Sequence, residues 1–362
     1  MMVKKSKKVD PAFIKDIIKK YGHVISTGNE ILDQRKNFKT ISVSPAVDIA
    51  LGGGIKEGSW VILTGDPKCG KTTTALQIAA NCQKDGRPII YLDAEGRLKE
   101  MNLLGVDGLD KEKIQIIHAE DEPLSAETFL DIAVKLVSAK ENYGCVCIID
   151  STSALMPEKE LDGDMSPGRA GLPRILSMFC KKLGQIVPKQ RATLIIITHF
   201  IANTSGFGSP RMPDCGKKIQ YQADTRMEVK SINPWTQGDK QTGQAVNWKV
   251  ICSSMGPPGT ECQSWLKYGQ GVDKTQELVI IGQEAGLIAK AGAWLTCDFL
   301  FLKPELLQKI NPDIELTKED AYKDQEGALR SCRFQGQEKL YHFLKQNEEV
   351  CELLENEIKL ML

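Results

Sequence analysis

Five short apolar runs recur along the first two hundred residues, at 60–64, 88–93, 114–117, 145–149 and 193–198. They are rich in Ile, Val and Leu, and apolar residues follow one another rather than alternating with polar ones. That pattern predicts strands buried on both faces. Between them the apolar spacing becomes helical, predicting helices at roughly 72–84, 97–104, 125–140 and 168–187. Strands alternating with helices predict an α/β fold, a mostly parallel sheet covered by helices. Ligands on such sheets bind beyond the carboxyl ends of the strands.

The flanks read differently. Phe13, Ile14, Ile17 and Ile18 fall at helical spacing with Lys15, Lys19 and Lys20 between them, and Gly22 stops the helix. This helix is too small to bury its own apolar face, so residues 1–34 are expected to be an oligomerisation segment packing on the core or on a neighbouring subunit. Residues 41–44 alternate like a strand, and 45–51 read as a helix running into Gly52-Gly53-Gly54. From Asn203 to Pro213 the chain is polar and rich in Gly and Pro, which predicts a long functional loop. Residues 222–285 alternate with period two at 226–230, 245–252 and 261–268, with a turn at Gly256-Pro257-Pro258-Gly259. A helix is expected at 273–289. A small, mostly helical module follows from residue 303, its strongest helix at 337–360. The expected organisation is therefore 1–34, a core of 35–302 and a C-terminal module of 303–362.

The strand ends carry the candidate chemistry. Gly65-Asp66-Pro67-Lys68-Cys69-Gly70-Lys71-Thr72 follows the first apolar run and opens a helix at Thr73, the strand–GxxxxGK[ST]–helix pattern of a phosphate-binding loop, or Walker A sequence. Its backbone N–H groups and the helix N-terminus would cradle phosphate. Lys71 would reach the β- and γ-phosphates, and the Thr72 hydroxyl would sit on Mg²⁺. Leu92-Asp93-Ala94-Glu95 ends the second strand, and a carboxylate there can orient a water for attack; an acid after a strand is equally a helix N-cap. Cys147-Ile148-Ile149-Asp150 has the form of a Walker B acid holding Mg²⁺ through water. His199 ends the strand that leads into the long loop, where it could touch the γ-phosphate. One pocket combining Lys71, Thr72, Glu95, Asp150 and His199 would be an NTPase that reports the γ-phosphate to a loop.

Composition adds limits. The 47 basic and 47 acidic residues cancel, so any nucleic-acid site must be local. Eleven irregularly spaced cysteines and four histidines, without CxxC zinc spacing, fit reduced, mostly buried thiols in a cytoplasmic protein. The N-terminal lysines have no apolar stretch behind them, as a secretory signal would. No run of about 20 apolar residues predicts a membrane span.

Taken together these stretches resemble the RecA-type strand-exchange recombinases over nearly all of residues 10–300. Residues 47–54 are similar to the family's segment before the phosphate loop. Leu92 to Glu95 is similar to its catalytic-glutamate strand, and Ile149-Asp150-Ser151 with 154–163 to its Walker B strand and the lead-in to its first DNA loop. Phe207 to Pro210 resembles the tip of the second DNA loop, Tyr268 to Gly271 the strand whose tyrosine packs near adenine, and Lys290 to Trp294 the end of the core. The resemblance implies a RecA-like ATPase core and a DNA-dependent ATP hydrolase. It implies a head-to-tail homo-oligomeric filament on single-stranded DNA that pairs with homologous duplex DNA in recombination and repair. DNA loops are expected near 160–171 and 200–216. By the same carry-over Arg174 and Lys181 match DNA-contacting positions. Arg169, Arg211, Lys217 and Lys218 are DNA candidates from charge and place, and Met165 and Phe207 could wedge or stack against bases.

Two departures stand out. Most bacterial members carry Gln where this chain has His199, and histidine there is more like the phage recombinases of the UvsX type. Cys252 and Ser254 stand where bacterial members have two lysines that reach a neighbour's ATP. Either monovalent cations supply that charge or cross-subunit activation is weaker. The C-terminal module ends on an amphipathic helix rather than a strongly acidic tail. Two alternatives share the core: a hexameric helicase, and a non-catalytic ATP-gated mediator that coats single-stranded DNA, against which Glu95 argues. Single-strand-binding and loader proteins are expected partners.

Overall fold

The computed structural model describes residues 9–22, 24–161, 171–203, 208–297, 299–300, 305–306, 315–316, 322–323 and 333–361. The chain divides into two compact units, Met1–Lys39 and Thr40–Leu362.

In the smaller unit, helix Pro11–Tyr21 is capped by the Asp10 carboxylate, which accepts the Ala12 N–H at 2.9 Å, and ends at Gly22, φ +79°. Phe13 and Tyr21 are exposed. A second helix, Gly28–Lys36, was not expected from the pattern because it buries no residue. Its start is set by a capping box in which Thr27 and Glu30 exchange hydrogen bonds.

The larger unit is built on a nine-stranded sheet. Its strands, in chain order, are β1 (Trp60–Thr64), β2 (Ile89–Asp93), β3 (Ile114–Ile117), β4 (Val146–Asp150), β5 (Thr193–Thr198), β6 (Thr225–Gln237), β7 (Lys240–Cys252), β8 (Glu261–Lys267) and β9 (Gly271–Val272). They lie in the order β9-β8-β7-β6-β1-β5-β4-β2-β3. From β6 to β3 every pairing is parallel, and from β6 to β9 every pairing is antiparallel. The five central apolar runs fall in the parallel half within a residue of the expected positions.

Their lack of alternation has a plain cause. Val61 and Leu63 enter one core with Leu76, Ile78, Val246 and Trp248, while Trp60 and Ile62 enter the opposite one with Phe129, Leu130, Leu176 and Phe179. Both faces are dry, so both parities are apolar. A third core joins helix Lys274–Glu284 to helices Gln337–Gln346 and Glu348–Met361.

Some boundaries differ from the pattern. The helix expected over 337–360 is two helices, because the Asn347 side chain donates to the Phe343 carbonyl at 2.8 Å and closes the first. The one expected over 168–187 is described as Gly171–Leu183, with a separate turn at Ile186–Gln190. The long loop holds a short ribbon, Phe200–Ala202 paired with Arg211–Pro213, and a helix, Gly216–Gln222.

At the amino ends of the strands a buried ion-pair cluster ties the sheet. Glu57, just before β1, pairs with Arg87 before β2 and with Arg191 before β5 (3.1 Å). Arg87 also donates to the Gly144 carbonyl before β4, at 3.1 Å. The carboxyl ends, on the opposite side, carry the site.

Candidate active site

Because β1, β2, β4 and β5 run parallel, their last residues emerge on one side and open into one cavity of about 1020 Å³. The phosphate loop turns inward there. Lys68 takes φ +62° and Gly70 φ +94°, left-handed conformations that aim successive backbone N–H groups into the loop. A Cβ on Gly70 would lie 2.3 Å from Leu266 Cδ1, so the loop sits directly on β8. Lys71 is buried and donates to the carbonyls of Gly65 and Asp66, both at 2.8 Å. Among the described residues no carboxylate pairs with its ammonium, which leaves that charge for a phosphate. The helix that Lys71 opens also carries Thr72 and Thr73, and all three line the cavity with Pro67, Lys68 and Cys69. These residues fit a nucleoside triphosphate.

Thr72 Oγ1 and the Tyr91 hydroxyl both donate to Asp150 Oδ2, each at 2.7 Å. Burial raises the Asp150 carboxyl above its usual range, the two hydrogen bonds oppose that, and the charges of Glu95 and Asp93 add to it. A hydroxyl next to a crowded, buried carboxylate suits a hard divalent cation, so Thr72 and Asp150 fit Mg²⁺.

Glu95 Oε1 accepts from Ser151 Oγ at 2.6 Å and meets His199 Nε2 at 3.0 Å. His199 Nδ1 lies 3.4 Å from Lys71 Nζ. An ammonium can only donate, so Nδ1 is the acceptor and the Nε2–H donates to Glu95. Burial pushes the Glu95 carboxyl up, but the hydrogen bonds from Ser151 and His199, with the Arg97 charge, outweigh it. The net pKa is below the ordinary range, and Glu95 is an anion at neutral pH. One imidazole thus touches both the acid and the phosphate-loop lysine.

The expected site residues Lys71, Thr72, Glu95, Asp150 and His199 therefore lie in one cavity, with Tyr268 on its wall and exposed. Sequence reasoning missed Ser151, Tyr91, Ser153 and Gln244. Only Tyr91, a hydroxyl in an otherwise aliphatic strand, left a signal.

Of the expected DNA residues, Arg174 and Lys181 are exposed on helix Gly171–Leu183, and Lys217 and Lys218 on helix Gly216–Gln222. Arg211 is not a free loop cation. It donates to both oxygens of Asp66, at 2.8 and 3.0 Å, and stacks over the Phe200 ring at 4.7 Å. Met165, Arg169 and Phe207 lie outside the described residues.

The chain matches the model of the RecA N-terminal domain over residues 7–273. It is 35% identical to protein RecA of Oleidesulfovibrio alaskensis over 267 residues, covering 72% of this chain and 74% of that protein. It is 30% identical to protein RecA of Nitratiruptor sp. over 365 residues, covering 99% and 94%, and 31% identical to protein RecA of Helicobacter hepaticus, covering 80% and 81%. A family model spanning most of the chain, together with relatives this similar along their length, establishes the lineage: this protein belongs to the RecA family.

Proposed function

We propose that this member of the RecA family is a DNA-dependent ATPase that forms a filament on single-stranded DNA and catalyses homologous pairing and strand exchange. One observation carries the coupling of the two activities. His199 lies at the root of the ribbon that leads into the second DNA loop, and it contacts both Glu95 and Lys71. Movement of that ribbon on DNA must move the imidazole, and with it the acid.

In this reading Lys71 binds the β- and γ-phosphates and Thr72 with Asp150 holds Mg²⁺, which offsets the phosphate charge when bound. Glu95 takes the proton of the attacking water, with Ser151 and His199 fixing its orientation. Tyr268 packs on the base. Arg174, Lys181, Lys217 and Lys218, with Met165, Arg169 and Phe207 from the loops, contact DNA, and Arg211 joins them after leaving Asp66. Residues 1–34 dock on the next subunit, loader and single-strand-binding proteins assist, and the protein works in the cytoplasm. Among the described residues no helix is long and apolar enough to cross a membrane. A bound monovalent cation supplies charge where Cys252 and Ser254 replace lysine.

The test is steady-state ATP hydrolysis with and without single-stranded DNA at low salt, with negative-stain microscopy in a non-hydrolysable ATP analogue. Strong stimulation and helical filaments are expected. Rings, or hydrolysis indifferent to DNA, would refute the reading.

A further inference from the structure

The cavity also presents an arginine to the acid. Arg97 lies two residues beyond Glu95, and its Nη1 stands 3.8 Å from Glu95 Oε2. The chain is shaped to put it there. Gly96 takes φ +62°, which turns the backbone immediately after Glu95. The Asp93 carboxylate then accepts the N–H groups of Arg97 and Leu98, at 3.1 and 3.0 Å. The root of the side chain is fixed while its guanidinium projects into the open mouth, 81% exposed. An ion pair this open is weak in water and exchanges readily. Lys71, by contrast, is held by two carbonyls. Cys252 and Ser254, at and just past the end of β7, do not line the cavity. Cys252 is half-buried with its thiol 4.0 Å from the Ala223 carbonyl.

We propose that Arg97 is a catalytic residue of ATP hydrolysis, moving from Glu95 to the terminal phosphate of ATP within the same subunit. A phosphate carries more charge than a carboxylate and accepts the guanidinium fork bidentately, so it wins the arginine once ATP is bound. The exchange has two effects. It places positive charge where the transferred group accumulates negative charge. It also releases Glu95 Oε2, leaving that oxygen for the proton of water while Ser151 and His199 hold Oε1. The proposal rests on the reading of Glu95 as the base.

The test uses the full chain with single-stranded DNA and ATP. Arg97→Ala is expected to lower kcat by about 10²-fold or more, with KM for ATP within about threefold, and Arg97→Lys to recover part of the loss. Arg97→Gln should behave like Arg97→Ala. Filaments mixed from Glu95→Gln and Arg97→Ala subunits should stay inactive, because neither subunit holds a complete site. A parental kcat in Arg97→Ala, or a loss confined to KM, overturns the proposal. Recovery in the mixed filaments overturns the same-subunit assignment. An inactive Glu95→Gln beside a fully active Arg97→Ala removes Arg97 alone, whereas a fully active Glu95→Gln removes the base reading itself.

Discussion

The two halves of the large sheet do different work. In the parallel half, strands β1, β2, β4 and β5 all end on one side, and each delivers a polar group to the same cavity: the phosphate loop, Glu95, Asp150 and His199. In the antiparallel half, neighbouring strands point opposite ways, so strand ends cannot converge. That half contributes through its surface instead, by Gln244 and Tyr268 on the cavity wall and by Leu266 beneath Gly70. On the proposed reading, the chemistry and the phosphate cradle belong to one half, and the wall beside the base belongs to the other.

That division can be broken by mutation. The largest effect is expected from Glu95→Gln, which keeps the shape but removes the proposed base. DNA-stimulated kcat should fall by about 10³-fold while a fluorescent ATP analogue still binds. Next is Asp150→Asn, which should raise the Mg²⁺ concentration needed for half-maximal hydrolysis by about 10 to 100-fold. On the antiparallel side, Tyr268→Ala should raise KM for ATP by about three- to tenfold and leave kcat nearly alone. A kcat loss at Tyr268 as large as that at Glu95 would end the distinction. The smallest effect concerns stability. Glu277 is fully buried behind β8, and burial pushes its carboxyl from 4.5 to about 7 against hydrogen bonds from Ser264, Ala46 and Trp265. With the folded value above the unfolded one, the protonated form favours the folded chain. Its contribution is complete below about 4.5 and is lost as pH rises through about 7. Urea unfolding should show a decline on the order of 1 to 3 kcal/mol across that window, shallower in Glu277→Gln.

The parallel half was legible in the sequence because burial on both faces leaves unbroken apolar runs, and a polar residue ending such a run is conspicuous. Asp150 and His199 could be read that way, and Glu95 just past such an end, while Lys71 and Thr72 are read from the glycine and lysine spacing of the loop between strand and helix. Ser151 and Ser153 could not be read, since a serine after a strand has many ordinary roles. The ion pair between Arg211 and Asp66 spans 145 positions, and no local pattern encodes it. Helix Gly28–Lys36 was silent because a helix without a buried face has no apolar period. The break at Asn347 was hidden because the apolar positions continue in helical spacing across it, and one side-chain cap ends the first helix.

The cluster of Glu57, Arg87 and Arg191 binds three strands at their amino ends and reaches the start of a fourth through the Gly144 carbonyl. The sheet is thus clamped like the spine of a book, with its leaves opening at the far edge. Loops at that edge can be lengthened, reshaped or pulled by a bound polymer without loosening the strands that carry them. A sheet built this way confines movement to the page edges, and the binding stays shut.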